Sequence, residues 1–156
     1  MTNPIKTGAK VPDFMTLATS GEKWRLKDAA GKKLVIYFYP KDMTSGCTRE
    51  SQDFRDLAAA FRKAGTQIVG VSRDSVASHA KFTEKEKLPF PLLSDTDEQL
   101  CKLFDVIKEK SLYGKKYLGI ERSTFLLDGK GVLRQEWRKV KVPGHAEEVL
   151  EAAKSL

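Results

Sequence analysis

The chain has 156 residues, 40% of them hydrophobic, with 28 Lys+Arg against 21 Asp+Glu for a net charge of +7. This suits one compact domain over residues 1–156, able to bury roughly 68–70% of its unfolded surface without a disulfide scaffold. Two cysteines, no secretory pattern at the amino terminus and no apolar run long enough to span a bilayer predict a reducing, cytoplasmic setting and no membrane partner.

The positive balance alone does not imply nucleic acid. Lys81, Glu84, Lys85, Glu86 and Lys87 mix both signs, as a solvated face does. Lys32-Lys33 and Lys115-Lys116 each follow a glycine at predicted turns and have no aromatic array beside them, so a basic nucleic-acid module is only a minor alternative.

The elements read in order as an α/β domain. Phe14 to Leu17 and Trp24 to Leu26 flank Thr19-Ser20-Gly21-Glu22, an opening hairpin. Leu34 to Tyr39 has no polar alternation and predicts a strand buried on both faces. From Thr48 to Ala64 the apolar residues Phe54, Leu57, Ala58 and Phe61 follow helical spacing, with Gly65 as the stop. Gln67 to Ser72 is the next strand, and Asp74 or Ser75 caps a helix running to Glu86.

Beyond Pro89-Phe90-Pro91, Leu92 to Ser94 predicts a short strand. Thr96-x-x-Gln99 reads as a capping box opening a helix with Leu100, Leu103 and Phe104. Ser123 to Leu127 and Val132 to Trp137 flank Asp128-Gly129-Lys130-Gly131 as a second hairpin, and a last helix runs from near His145 to Lys154. Strands alternating with helices, plus edge hairpins, imply a mixed sheet flanked by helices.

Cys47 follows the buried strand Leu34 to Tyr39 through a short polar loop and sits where the helix begins. Unpaired N–H groups in a first helical turn and the positive end of the dipole favour an anion, so a cysteine there is suited to act as a nucleophilic thiolate. Cys47, Phe54 and Phe61 are spaced by nearly two turns, which turns the sulfur toward the protein and partly encloses it.

The stretch Pro40-x-x-x-Thr44-x-x-Cys47 resembles the active-site signature of the peroxiredoxins. Tyr37 to Asp42, Cys47-Thr48-x-Glu50 with Phe54-Arg55-Asp56, Glu121 to Asp128 and Val140 to Ala146 are similar to the Q type, also called bacterioferritin comigratory protein. The likeness runs from about Val11 onward. It implies a thioredoxin-like fold and a thiol peroxidase acting on hydrogen peroxide and alkyl hydroperoxides, with no cofactor. By the same resemblance Cys47 is the peroxidatic nucleophile that becomes a sulfenic acid, and Arg122 is the cation beside it. Thr44 offers its hydroxyl to the peroxide and Pro40 shields the sulfur. Gly46 or Cys47 supplies a backbone N–H to an oxyanion nest, and Glu50 orients the loop or the arginine.

The chain departs from the family at the resolving cysteine, because the two positions where relatives carry one are Gln52 and Thr83 here. Cys101 is the only other thiol; it reads as structural, with resolution of Cys47 as the alternative. A one-cysteine cycle with thioredoxin, glutaredoxin or glutathione as outside reductant is therefore expected, in a chain that the resemblance makes a monomer.

A Cys–His hydrolase with His145 or His79 as base for Cys47 is the competing enzyme class, though neither histidine carries the neighbours of a cysteine protease; His79 reads as a residue of a surface helix. A metal is not expected, since Cys47, His79, Cys101 and His145 lack short ligand spacing.

Overall fold

The computed structural model describes residues 5–19 and 21–156. A seven-stranded mixed sheet has the order β2-β1-β5-β4-β3-β8-β9, formed by β1 (Met15–Ala18), β2 (Lys23–Arg25), β3 (Lys33–Phe38), β4 (Thr66–Ser72), β5 (Leu92–Ser94), β8 (Ser123–Leu127) and β9 (Leu133–Trp137). A separate antiparallel hairpin, β6 (Ile107–Leu112) with β7 (Lys115–Ile120), lies outside that sheet. The helices are α1 (Ser45–Asp56), α2 (Ala58–Lys63), α3 (Val76–Glu86), α4 (Gln99–Leu103) and α5 (His145–Lys154).

β3 is central, parallel to β4 and antiparallel to β8, so its side chains face two separate cores. Leu34, Ile36 and Phe38 join one with Leu100, Cys101, Phe104 and Phe125. Val35, Tyr37 and Tyr39 join the other with Cys47, Phe54, Phe61, Phe82 and Val149. The apolar run without alternation is thus explained by helices or loops covering both faces.

Gly70 on β4 matters to this second core. A Cβ there would lie 2.8 Å from both Leu92 and the Tyr37 ring. With that space free, Tyr37 packs across β4 and its hydroxyl meets Ser51 Oγ of α1 at 2.9 Å. Its ring also stacks on Phe54, so β3 fixes the seat of the cysteine-bearing helix.

Several expectations need correction. The segment Thr48 to Ala64 is two helices, because the backbone breaks at Leu57 (φ −100°, ψ 1°); Cys47, Phe54 and Phe61 nevertheless share one core. The capping box at Thr96 is not formed: α4 starts at Gln99, and the buried Asp95 carboxylate accepts from the amides of Leu100 and Cys101. The hairpin β6–β7 was not legible as strands, since its residues are mostly exposed and lack an apolar alternation. The opening hairpin forms, but Ser20 of its turn lies outside the described residues. The late hairpin forms about the predicted Asp128 to Gly131 turn.

Candidate active site

The chain leaves β3 at Phe38, and Tyr39 still pairs with β4 through its N–H to Val71 O. Pro40, half-buried, ends the ladder; as a residue without an N–H it suits that point. The loop then turns through Met43, whose φ of 65° is left-handed and uncommon for a residue with a Cβ. Thr44 is extended and stands at the N-cap of α1. Its hydroxyl does not cap the helix; it donates to Lys41 O at 2.8 Å, and Thr44 remains exposed.

The first intrahelical bond of α1 is donated by Thr48 to Thr44 O. Ser45, Gly46 and Cys47 therefore form the first turn, whose N–H groups have no helical carbonyl to meet. Cys47 is only 1% exposed. Its sulfur accepts from Arg122 Nη2 at 3.3 Å, while Arg122 Nη1 donates to Glu50 Oε1 at 2.7 Å. Arg122 lies in the short link between β7 and β8, so residues far apart in sequence meet through the pairing of β8 with β3.

Gly46 has a second use that spacing could not reveal. A Cβ at this position would stand 3.2 Å from Arg122 Nη2, so the bare glycine lets the guanidinium come down over the sulfur. Glu50 is 1% exposed, and its Oε2 has no hydrogen-bond partner among the described residues. Burial, opposed by Arg122, raises its carboxyl from 4.5 to about 7. Arg122 loses by burial but gains more from Glu50 and Cys47, so its ionisation is pushed upward and it stays a cation.

Lys110 of β6 is a partly buried cation that sequence reading did not single out. Burial, then Arg122, lower its ionisation, with Cys47 opposing. Only recognition of the β6–β7 hairpin would have pointed to it.

Neither histidine serves the sulfur. His145 opens α5 as expected, but its Nε2 pairs with Thr124 Oγ1 at 2.8 Å, and burial followed by Arg122 lowers its ionisation to about 4. His79 is not on a surface face at all: it is 0% exposed, between Asp42 and Leu93 O. A Cys–His hydrolase arrangement is absent among the described residues.

Cys101 sits in the core on the other side of the sheet from Cys47. Burial, together with Asp95, raises its thiol strongly. Both cysteines are free thiols. Thr83 lies in α3, with a buried hydroxyl that has no partner among the described residues.

A cation at 3.3 Å from a sulfur that opens a helix, with its orientation set by a buried carboxylate, is an arrangement for thiol-based peroxide chemistry. The AhpC/TSA family model matches residues 7–136. The chain belongs to the AhpC/TSA family.

Within it, this peroxiredoxin is 59% identical over 143 residues to Peroxiredoxin Bcp of Xanthomonas campestris pv. campestris, covering 92% of this chain and 89% of that one. It is 51% identical over 152 residues to Peroxiredoxin Bcp of Bacillus subtilis, with 97% of each chain covered. Among solved structures, Xanthomonas campestris Peroxiredoxin Q superposes with a TM-score of 0.87 at 57% identity, over 91% of this chain and 90% of that one. A cysteine-to-serine variant of Xylella fastidiosa PrxQ reaches 0.93 at 42% identity, over 99% and 98%. Another Xanthomonas campestris structure, of the bacterioferritin comigratory protein, was described for its alkyl peroxide reduction activity; it matches at 56% identity and a TM-score of 0.87, over 91% and 90%. The fold is that of the thioredoxin-like peroxiredoxins, and the peroxiredoxin is a thiol-dependent peroxidase, with a hydroperoxide as substrate and a thiol as reductant. No helix among the described residues is long and apolar enough to cross a membrane.

Proposed function

We propose that this peroxiredoxin reduces hydrogen peroxide and alkyl hydroperoxides through Cys47 alone, and that an outside thiol completes the cycle. The observation that carries the reading is the Arg122 Nη2 to Cys47 Sγ contact at 3.3 Å, held by Glu50. The Cys47 thiolate donates its electron pair to the terminal oxygen of the hydroperoxide. An S–O bond forms as the O–O bond breaks, sulfur is oxidised to the sulfenic acid, and the departing alkoxide takes a proton from water to leave as an alcohol.

Each neighbour has a part in that step. Arg122 stabilises the sulfur anion and can donate to a peroxide oxygen from the same planar fork. The Thr44 hydroxyl gives its proton to Lys41 O, so its lone pairs are left to accept the O–H of the hydroperoxide. The N–H groups of Gly46 and Cys47 provide donors for the negative charge. Pro40 limits water at the sulfur, and Glu50 orients Arg122 without reacting.

Recycling falls to a partner. The Cys47 sulfenic acid is attacked by an external thiolate to give a mixed disulfide, the displaced hydroxide leaving as water with a proton from solvent, and a second thiol releases Cys47. Support comes from the absence of cysteine at Gln52 and Thr83 and from the placement of Cys101 in the opposite core. Thioredoxin, glutaredoxin and glutathione all supply this chemistry, in the reducing cytoplasm we assign to the protein. We take the catalytic unit to be one domain acting as a monomer, the state that the family resemblance implies, with Cys47, Glu50 and Arg122 completing the site within one chain.

Steady-state consumption of hydroperoxide with each reductant in turn tests the reading. Activity is expected with the wild-type protein and lost in Cys47→Ser; activity that survives Cys47→Ser would reject it.

A further inference from the structure

Six side chains converge behind the cysteine loop, none of them hydrogen-bonded to the sulfur. Asp42, 5% exposed, lies in the loop between β3 and α1. Its Oδ1 accepts from Tyr39 Oη at 2.6 Å, and its Oδ2 accepts from Ser78 Oγ at 2.8 Å and meets His79 Nδ1 at 2.8 Å. His79 Nε2 donates to Leu93 O of β5 at 3.0 Å. The Asp42 N–H is itself taken by Asp74 Oδ2 at 2.9 Å, and that oxygen also accepts from Ser72 Oγ at 2.6 Å.

This is an expensive way to fill a core if its only purpose were packing. Burial works against ionised Asp42, and the bonds from His79 and Tyr39 outweigh it, so the carboxyl stays below its ordinary range. Both carboxylate oxygens of Asp42 are satisfied, and the bonds run to three separate elements, β3's extension, α3 and, through His79, β5. A fully satisfied buried network of this kind selects one geometry. What it fixes is the loop residue just before left-handed Met43 and N-cap Thr44.

We infer that His79 is a positioning residue for the peroxidase reaction: through Asp42 it latches the Pro40–Thr44 loop to α3 and β5, keeping the first turn of α1 folded around Cys47 and setting how often that turn opens. Opening is required in the cycle. Cys47 is 1% exposed, so a small hydroperoxide can be handled in the closed site whereas a bulky thiol reductant needs the sulfur brought out. A weaker latch therefore slows oxidation by peroxide and speeds attack by bulky thiol reagents at Cys47. The inference rests on Cys47 being the peroxide-reactive sulfur.

The opposite signs make the test. Second-order rates are measured for hydroperoxide with the reduced protein, and for a bulky aromatic disulfide reagent with the same thiol in a Cys101→Ser background. His79→Ala is expected to raise the second by roughly tenfold, as the loss of a buried charge-assisted bond implies, and to lower the first by a smaller factor, because the closed form starts as the larger population. His79→Asn, whose amide can replace the Nδ1 donor to Asp42, restores both toward the parent values. If His79→Ala does not fold, Ser78→Ala removes one donor to the same oxygen and is expected to give few-fold changes of the same opposite signs. Rates that fall together, or a thiol reactivity that does not move in a folded variant, would overturn the latch. Failure of the underlying reading looks different, because the parent protein itself would then not oxidise Cys47 with hydroperoxide.

Discussion

Arg122 lies over Cys47, Nη2 to Sγ at 3.3 Å, and it is held there from the other side by a buried carboxylate. The link leading into β8 brings the arginine to the sulfur, helix α1 carries the sulfur and Glu50 together, and Gly46 leaves the room between them.

Replacing Arg122 by Lys keeps the charge but loses the fork that joins sulfur, Glu50 and substrate. Oxidation of Cys47 by hydroperoxide, followed by stopped flow, is expected to slow by about 10²–10³, the scale of removing one directed donor from a developing charge. A loss under threefold would show that a simple positive charge suffices.

Glu50 gives the site a pH signature. Its carboxyl is raised from 4.5 to about 7 by burial, so the folded protein holds a proton that the unfolded chain has released across that window. Stability therefore falls as pH rises from about 4.5 to 7 and is level above. Glu50→Gln lacks this loss, and its melting temperature is expected to gain relative to wild type between pH 5 and pH 8, by the equivalent of roughly 1–3 kcal/mol. For activity the sign is the reverse: wild type outpaces the variant most at pH 8, where ionised Glu50 grips Arg122, and the ratio narrows toward pH 6.

Gly46→Ala places a methyl group 3.2 Å from Arg122 Nη2. Alanine favours a helix over glycine by about 1 kcal/mol, which offsets part of the crowding. The variant should fold with a melting temperature close to wild type yet react with hydroperoxide several-fold more slowly. Equal rates would mean that the guanidinium yields without consequence.

Cys101→Ser tests the one-cysteine cycle. Cys101 is 0% exposed and faces the core opposite to Cys47, with its thiol held protonated by burial. Both the first oxidation and steady turnover with thioredoxin are expected to persist, and complete loss of turnover with oxidation intact would assign Cys101 a resolving role.

Much of this site is legible in the sequence, because it depends on local order: strand, polar loop, helix start and cysteine follow one another within a few residues of Tyr39 to Cys47. Arg122 was reachable only through family resemblance, since the pairing of β8 with β3 that delivers it is not encoded locally. His79 was misread for a physical reason. One polar residue on a charged helix looks solvated, and only the partner Asp42, 37 positions away, explains its burial. The β6–β7 hairpin, with Leu112, Tyr113, Tyr117 and Leu118 exposed, breaks the rule that strands alternate against a core, and Lys110 was lost with it. At Leu57 the periodicity continues through a backbone break, because packing of Phe54 and Phe61 on one core outweighs a regular helix.

The most direct test is intact mass of the reduced protein after one equivalent of hydroperoxide, with a sulfenic-acid trap present and the modified residue mapped by peptide analysis. One trap adduct on Cys47 is the expected result. An unmodified protein, an adduct on Cys101, or a loss of two hydrogens from a bridge between Cys47 and Cys101 would contradict it.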